Sequence, residues 1–243
     1  MVWPKAQTSG QDASTQAGQQ ARLGLSDALL WLVVAQFGSV FWFLGVTSVM
    51  DSSTAPEDLP ISTRAVLQLA FVFAYGVGPV VWAFTRGSGP LRELGTDFQP
   101  RDVPIGLLAG VVTQLVVLPV LYFPILRFVD ADPSEAAEAL TSLVGGNLDR
   151  ILLSLMVVVA APLAEEIFFR GLLLRALRRH MNAWWAVTVQ ALVFAAVHFQ
   201  SLQFAGLFVF GLIAGGLAVH FNRLGPSWAT HVAFNAVTLA ILL

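Results

Sequence analysis

Read as a string of apolar and polar positions, the 243-residue chain breaks into long apolar runs separated by short polar loops. A helix needs about 20 consecutive apolar residues to cross roughly 30 Å of hydrocarbon. Seven runs of that order can be marked off: Asp27 to Met50, Arg64 to Thr85, Ile105 to Phe128, Arg150 to His180, Ala183 to Phe199, Leu202 to Phe221 and Trp228 to Leu243. Ser26 is placed to cap the first. Gly76, Gly78 and Pro79 are expected to bend the second, and Pro119 and Pro124 interrupt the third. The fourth run of about 30 residues would extend about 45 Å, so tilt, a break at Pro162 or an emerging end is expected. Pro133 to Leu143 reads as a short interfacial helix and is the candidate for an eighth. Gln200 to Gln203 is very short for a loop, which makes either flanking segment a candidate re-entrant helix. The expected fold is all-α, a polytopic membrane helical bundle of about seven helices.

Composition agrees with this pattern. At 56% hydrophobic residues, 12% charged residues and a mean hydropathy of +0.74, the chain is too apolar for a soluble domain of its size. A net charge of -2 and the lack of any basic cluster interleaved with aromatics exclude a nucleic-acid partner. The absence of cysteine rules out disulfides, thiolate metal sites and a cysteine nucleophile. Residues 1–24 are polar and lack the apolar core of a signal peptide, so they are expected to form a disordered cytoplasmic tail ahead of one transmembrane domain, 25–243.

Charge in the loops gives an orientation. Arg22, the set Arg86, Arg92 and Arg101, the set Arg175, Arg178 and Arg179, and Arg223 all fall on one side if all seven runs cross. Asp51, Glu57, Asp58, Asp130, Glu135 and Glu138 collect on the other. Arginine and lysine favour cytoplasmic loops, so the N-terminus is expected inside and the C-terminus outside.

Some polar residues remain that hydrocarbon should exclude. Glu165, Glu166 and Arg170 interrupt the fourth run, and an ionised side chain at mid-bilayer costs about 2.5–3.5 kcal/mol on insertion scales. On a helix Glu166 and Arg170 share a face and can neutralise each other, while Glu165 points about 100° away. His198 follows Phe194 by four residues in the fifth run, and His231 precedes Asn235 by four in the seventh. His180 and His220 end basic or polar stretches and read as interfacial; Trp184 and Trp185 read as interfacial anchors. Gly211 and Gly215 are expected to let the sixth helix pack closely on a neighbour. Glu165 lies about 15 Å along its helix from Arg175, and His231 about 12 Å from Arg223, but His198 would lie about 22 Å beyond Ala183, a depth that does not match. Three readings fit these residues: a hydrolytic site, a proton relay of a coupled transporter, or a non-catalytic scaffold whose buried network ties helices together.

Taken together, Glu165-Glu166-x-x-x-Arg170, Phe194-x-x-x-His198 and His231-x-x-x-Asn235 resemble the signature of the CAAX prenyl protease and bacteriocin-processing (CPBP, or Abi) family. Leu91-Arg92-Glu93-Leu94-Gly95 is similar to the loop that often precedes the core in that family. The resemblance spans about Arg92 to Leu243 and makes 148–243 the catalytic core. It implies an intramembrane endopeptidase with a site open to the cytosol, acting on a membrane-associated peptide or protein, with roles in peptide maturation or bacteriocin self-immunity. The expected location is the bacterial plasma membrane. By the same resemblance Glu165 is the general base, His198 aligns the water, His231 and Asn235 stabilise the oxyanion, and Glu166, Arg170 and Phe194 support the site. No metal is required on the favoured reading. The alternative is zinc held by Glu165, His198 and His231, although the helical signature His-Glu-x-x-His is missing.

Overall fold

The computed structural model describes residues 22–49, 55, 58–129 and 132–243. The expected tail over 1–21 and the acidic residues Asp51, Glu57 and Asp130 lie outside the described residues. All regular structure among the described residues is helical. In chain order it comprises α1 (Leu25–Thr47), α2 (Ile61–Thr85), the short α3 (Pro90–Glu93), α4 (Asp102–Ile125), α5 (Glu135–Thr141), α6 (Asn147–Leu177), α7 (Ala183–Ala196), α8 (Phe204–Phe221) and α9 (Gly225–Leu242).

Among the described residues, α1, α2, α4, α6 and α8 are long and apolar enough to cross a membrane. α9 is helical over 18 residues. α7 is apolar but only 14 residues long. The outward faces of α1, α2 and α4 carry exposed residues such as Phe37, Phe41, Leu69, Phe84 and Leu108. Apolar surface on that scale belongs in lipid, and the chain is an integral membrane protein.

Several boundaries move from their sequence positions. α1 begins before Ser26: the carboxylate of Asp27 accepts from the Gly24 N–H at 2.8 Å, so Gly24 takes the capping position. α9 starts at Gly225, earlier than Trp228, because Pro226 suits a first turn whose N–H needs no partner. The run after Thr85 bends back on itself. Glu93, buried, accepts from the N–H groups of Arg22, Leu23 and Ser88 at 2.8–3.0 Å, fixing two residues that lead into α1 to the loop after α2.

Prolines leave a consistent mark on the long helices. A proline lacks its own N–H and its ring clashes with the carbonyl four residues back. Three such clashes are relieved by a wider π-helical turn just before the proline: Phe73–Val77 before Pro79, Thr113–Val117 before Pro119, and Leu155–Ala160 before Pro162; Pro124 sits within the last α-helical stretch of α4 without one. The helices stay continuous across these prolines. A fourth π-helical stretch, Glu166–Leu173, has no proline and carries Glu166 and Arg170.

Small residues set how closely the helices approach. A side chain at Gly211 would meet Ala191 of α7 and one at Gly215 would meet Gln190 and Val187, as expected for close packing of the sixth helix. The tightest contact was not anticipated. α4 and α9 lie together because Gly106 and Gly110 abut Ala229, Thr230 and Ala233. Behind them, Tyr75, Phe168, Phe169, Phe194 and Phe210 form one buried aromatic cluster joining α2, α6, α7 and α8.

A methyl added at Gly110 would lie against the Thr230 carbonyl oxygen and Ala233. Gly110→Ala is expected to cost about 1–3 kcal/mol through overpacking. Gly216→Ala, where nothing lies within 4 Å, should leave stability unchanged or raised; thermal unfolding of both variants in detergent checks the pair.

Candidate active site

The site is built from residues of four helices. Glu165, Glu166 and Arg170 come from the middle of α6, Phe194 from α7 with His198 just beyond it, Phe210 from α8, and His231 and Asn235 from α9. Glu166 is at the centre. Its Oε1 accepts from Arg170 Nη1 at 2.9 Å and from His231 Nδ1 at 2.9 Å, with all three side chains buried. The four-residue spacing read from the sequence does produce the ion pair. The link to His231, 65 residues away, could not be seen there.

Arg170 is the largest fully buried side chain described. Its guanidinium lies 4.5 Å from the Phe194 ring centre and 5.6 Å from that of Phe210. Ring faces are negative and stabilise a desolvated cation by about 2 kcal/mol. One carboxylate and two rings thus hold the charge in place of water, and this is the structural contribution of Phe194.

His231 has its two nitrogens in different surroundings. Nδ1 faces a carboxylate oxygen, which only accepts, so Nδ1 carries a proton. Nε2 is directed toward Glu165 Oε2 at 3.7 Å, too far for a direct hydrogen bond. The ring is packed against Phe210, centre to centre 4.6 Å. Glu165 is 7% exposed and its Oε2 is buried with no hydrogen-bond partner.

His198 does not sit inside the fifth helix as expected. α7 ends at Ala196, and the chain reverses through 197–203, where Phe199 adopts a left-handed φ of 54°. His198 lies in this turn, just past the end of α7. Its Nδ1 donates to the Phe194 carbonyl at 2.7 Å, which leaves Nε2 with a lone pair. Asn235 is also engaged: its amide donates to the Val157 carbonyl at 2.8 Å, across to the π-helical turn before Pro162.

A cavity of about 240 Å³ brings these groups together, lined by Glu165, His198, His231, Asn235, Phe194 and Phe210 among others. From Glu165 it runs along one face of α9, past His231, Phe234, Asn235, Thr238 and Leu242. These positions follow helical spacing and were legible as one stripe, although only two of them stand out chemically. The remaining wall comes from Ala137, Leu140 and Thr141 of α5, which no sequence signal tied to the site.

From Glu165 the cavity extends toward α5, the 197–203 turn and the C-terminal half of α9, away from the end that carries the arginine-rich loops. The space between Glu165 and that end is filled by Phe168, Phe169 and Leu172. It is closed by the loop after α3, where Leu94 packs on Gly171 and the Gly95 carbonyl accepts from the Leu224 N–H at 2.9 Å. Arg223, read from sequence only as a loop charge, locks the same end by pairing with Asp102 at 2.6 Å. His180 and His220 are exposed there, consistent with interfacial positions.

Among the described residues no three His, Asp or Glu side chains form a group able to hold a metal ion.

Comparison with known proteins adds three findings. Residues 147–237 match the family described as type II CAAX prenyl endopeptidase Rce1-like. A protein of Escherichia coli described as an uncharacterized 24.3 kDa protein is 30% identical over 170 residues, covering 67% of this chain and 73% of its own. No solved structure matches.

Removing one partner of the buried pair leaves an uncompensated charge. Arg170→Met is expected to cost about 3–5 kcal/mol, and the double variant Glu166→Gln with Arg170→Met should recover most of it. Unfolding midpoints of the two proteins in detergent check this.

Proposed function

This chain belongs to the CAAX prenyl protease and bacteriocin-processing family, a family of membrane proteases, and on that premise we propose that it is an intramembrane endopeptidase in which Glu165 activates the hydrolytic water. The observation that carries this reading is the convergence of Glu165, His198 and His231, drawn from distant parts of the chain, on one cavity.

The chemistry follows from the free atoms. Glu165 Oε2 and the His198 Nε2 lone pair are two acceptors for the hydrogens of one water. Glu165 takes a proton, the hydroxide adds to the scissile carbonyl carbon, and the carbonyl oxygen becomes an oxyanion. This step takes His231 in its doubly protonated form: Nε2–H donates to the oxyanion while Nδ1–H remains on Glu166, so the ion pair with Arg170 sets the angle of the donor. Asn235 offers the second amide hydrogen, the first being held by Val157. The C–N bond breaks as Glu165 returns its proton to the leaving nitrogen. Exclusion of bulk water by the apolar walls strengthens each of these contacts.

No step uses a metal. The cavity faces away from the arginine-rich loops, so the reading further holds that substrate reaches the site from the opposite face or from within the bilayer.

The test uses the purified protein in liposomes with a membrane-anchored reporter peptide. Native protein should cleave it in the presence of a chelator. Glu165→Gln and His198→Ala should each lose about 10²–10⁴-fold in kcat while keeping native yield and elution. A Glu165→Gln protein with native turnover would remove the base assignment, and loss of cleavage on chelation would restore the metal alternative.

A further inference from the structure

A second cavity of about 280 Å³ adjoins the first, and the two share Ala137, Gln203, Leu207, Phe234 and Thr238 in their walls. They are arms of one bent groove, together in the size range of pockets that enclose a small ligand or a few residues of peptide. The inner arm ends on Glu165; the outer arm passes beneath α5 and ends against α4.

Two features give the outer arm a chemical character. Its lining includes no charged side chain; Leu118, Pro119, Leu207 and Phe234 make most of its wall. One polar atom in that wall, Gln114 Oε1, is buried without a hydrogen-bond partner. An amide oxygen removed from water is costly until a donor reaches it, and Gln114 sits in the π-helical turn Thr113–Val117.

The walls are held apart by hydrogen bonds. Gln203 Nε2 donates to the Pro133 carbonyl at 2.9 Å. Tyr122 donates through its hydroxyl to the Leu202 carbonyl at 3.0 Å and accepts from the Gly206 N–H at 3.2 Å. These contacts tie α4, the entry to α5 and the start of α8 together around the groove. α5 itself is seated by Leu140, Leu143 and Val144 on Leu153 and Leu239.

We propose that the outer arm is a specificity subsite of the protease, taking an extended, uncharged apolar segment next to the scissile bond, with Gln114 Oε1 accepting from a backbone N–H of that segment. The proposal rests on the protease reading above. A peptide must be unwound for its carbonyl to reach Glu165, and unwinding frees N–H groups that need acceptors within the membrane. Side chains of an extended segment alternate, so one would enter the apolar wall while the backbone faces Gln114. Gln114 is a positioning residue, with no part in bond making.

The experiment has two arms. In the kinetic arm, reporter peptides carry Leu, Gly or Glu at each of the three positions flanking the cleaved bond. The native protein should favour Leu over Glu by at least tenfold in kcat/KM. Gln114→Leu should raise KM tenfold or more with kcat within about twofold. Leu207→Trp, which fills the groove, should erase the preference for Leu. Leu207→Ala, which leaves the wall in place and widens it, guards against a folding artefact and should keep the preference. In the binding arm, the Glu165→Gln protein is irradiated with the Leu peptide carrying a photoreactive phenylalanine analogue beside the bond, and cross-links should map to Gln114, Leu118 and Leu207. Cleavage with no dependence on Gln114 or Leu207, and cross-links elsewhere, overturns the subsite and leaves the catalytic reading standing. Cross-links in the groove without cleavage by the native protein overturn the catalytic reading and leave a peptide-binding groove. Neither cleavage nor groove cross-links overturns both.

Discussion

The structure depends on one shared oxygen. Glu166 Oε1 accepts from both Arg170 and His231, in surroundings where water cannot replace either contact. Charge cannot be moved out of water unless its hydrogen bonds are remade, so the three side chains have to be placed together. That requirement brings α9 against α6 and draws the rings of Phe194 and Phe210 around the guanidinium. The helix pairing set by Gly106 and Gly110 against Ala229 and Ala233 then brings His231 to its partner.

Glu165 and Glu166 are neighbours with opposite circumstances. Glu166 has both donors on one oxygen, whereas Glu165, which lines the cavity, has a buried oxygen without a partner. The difference arises from direction alone: on a helix adjacent residues point about 100° apart. One carboxylate is taken up by contacts within the fold, and the other is the one the proposed mechanism uses. The same division appears at the two ends of the bundle. The arginine-rich end is sealed by Glu93, Leu94, Asp102 and Arg223, and the other end holds the groove.

Much of the architecture was legible in the sequence, for physical reasons. Hydrocarbon imposes length and apolarity on any crossing helix, so α1, α2, α4, α6 and α8 stand out as uninterrupted apolar runs, and charges inside one of them single out Glu165, Glu166 and Arg170. Spacing of four gave the Glu166–Arg170 pair because both partners lie on one helix. What could not be read was contact between helices: the His231–Glu166 bond, the Asn235–Val157 bond and the α5 wall all depend on packing that local periodicity does not encode. The end of α7 was misplaced because Val197, His198 and Phe199 continue the apolar pattern, and only the left-handed Phe199 backbone shows that the helix has stopped.

The shortness of α7 has its own consequence for the surrounding lipid. Its 14 residues extend about 21 Å, some 9 Å less than an average hydrocarbon layer. Lipid meets such a mismatch by thinning beside the short element. Headgroups and their hydration then dip toward the 197–203 turn, on the flank where His198 stands. A truncated helix of this kind would bring moisture to a reaction that consumes water in a medium that otherwise has none.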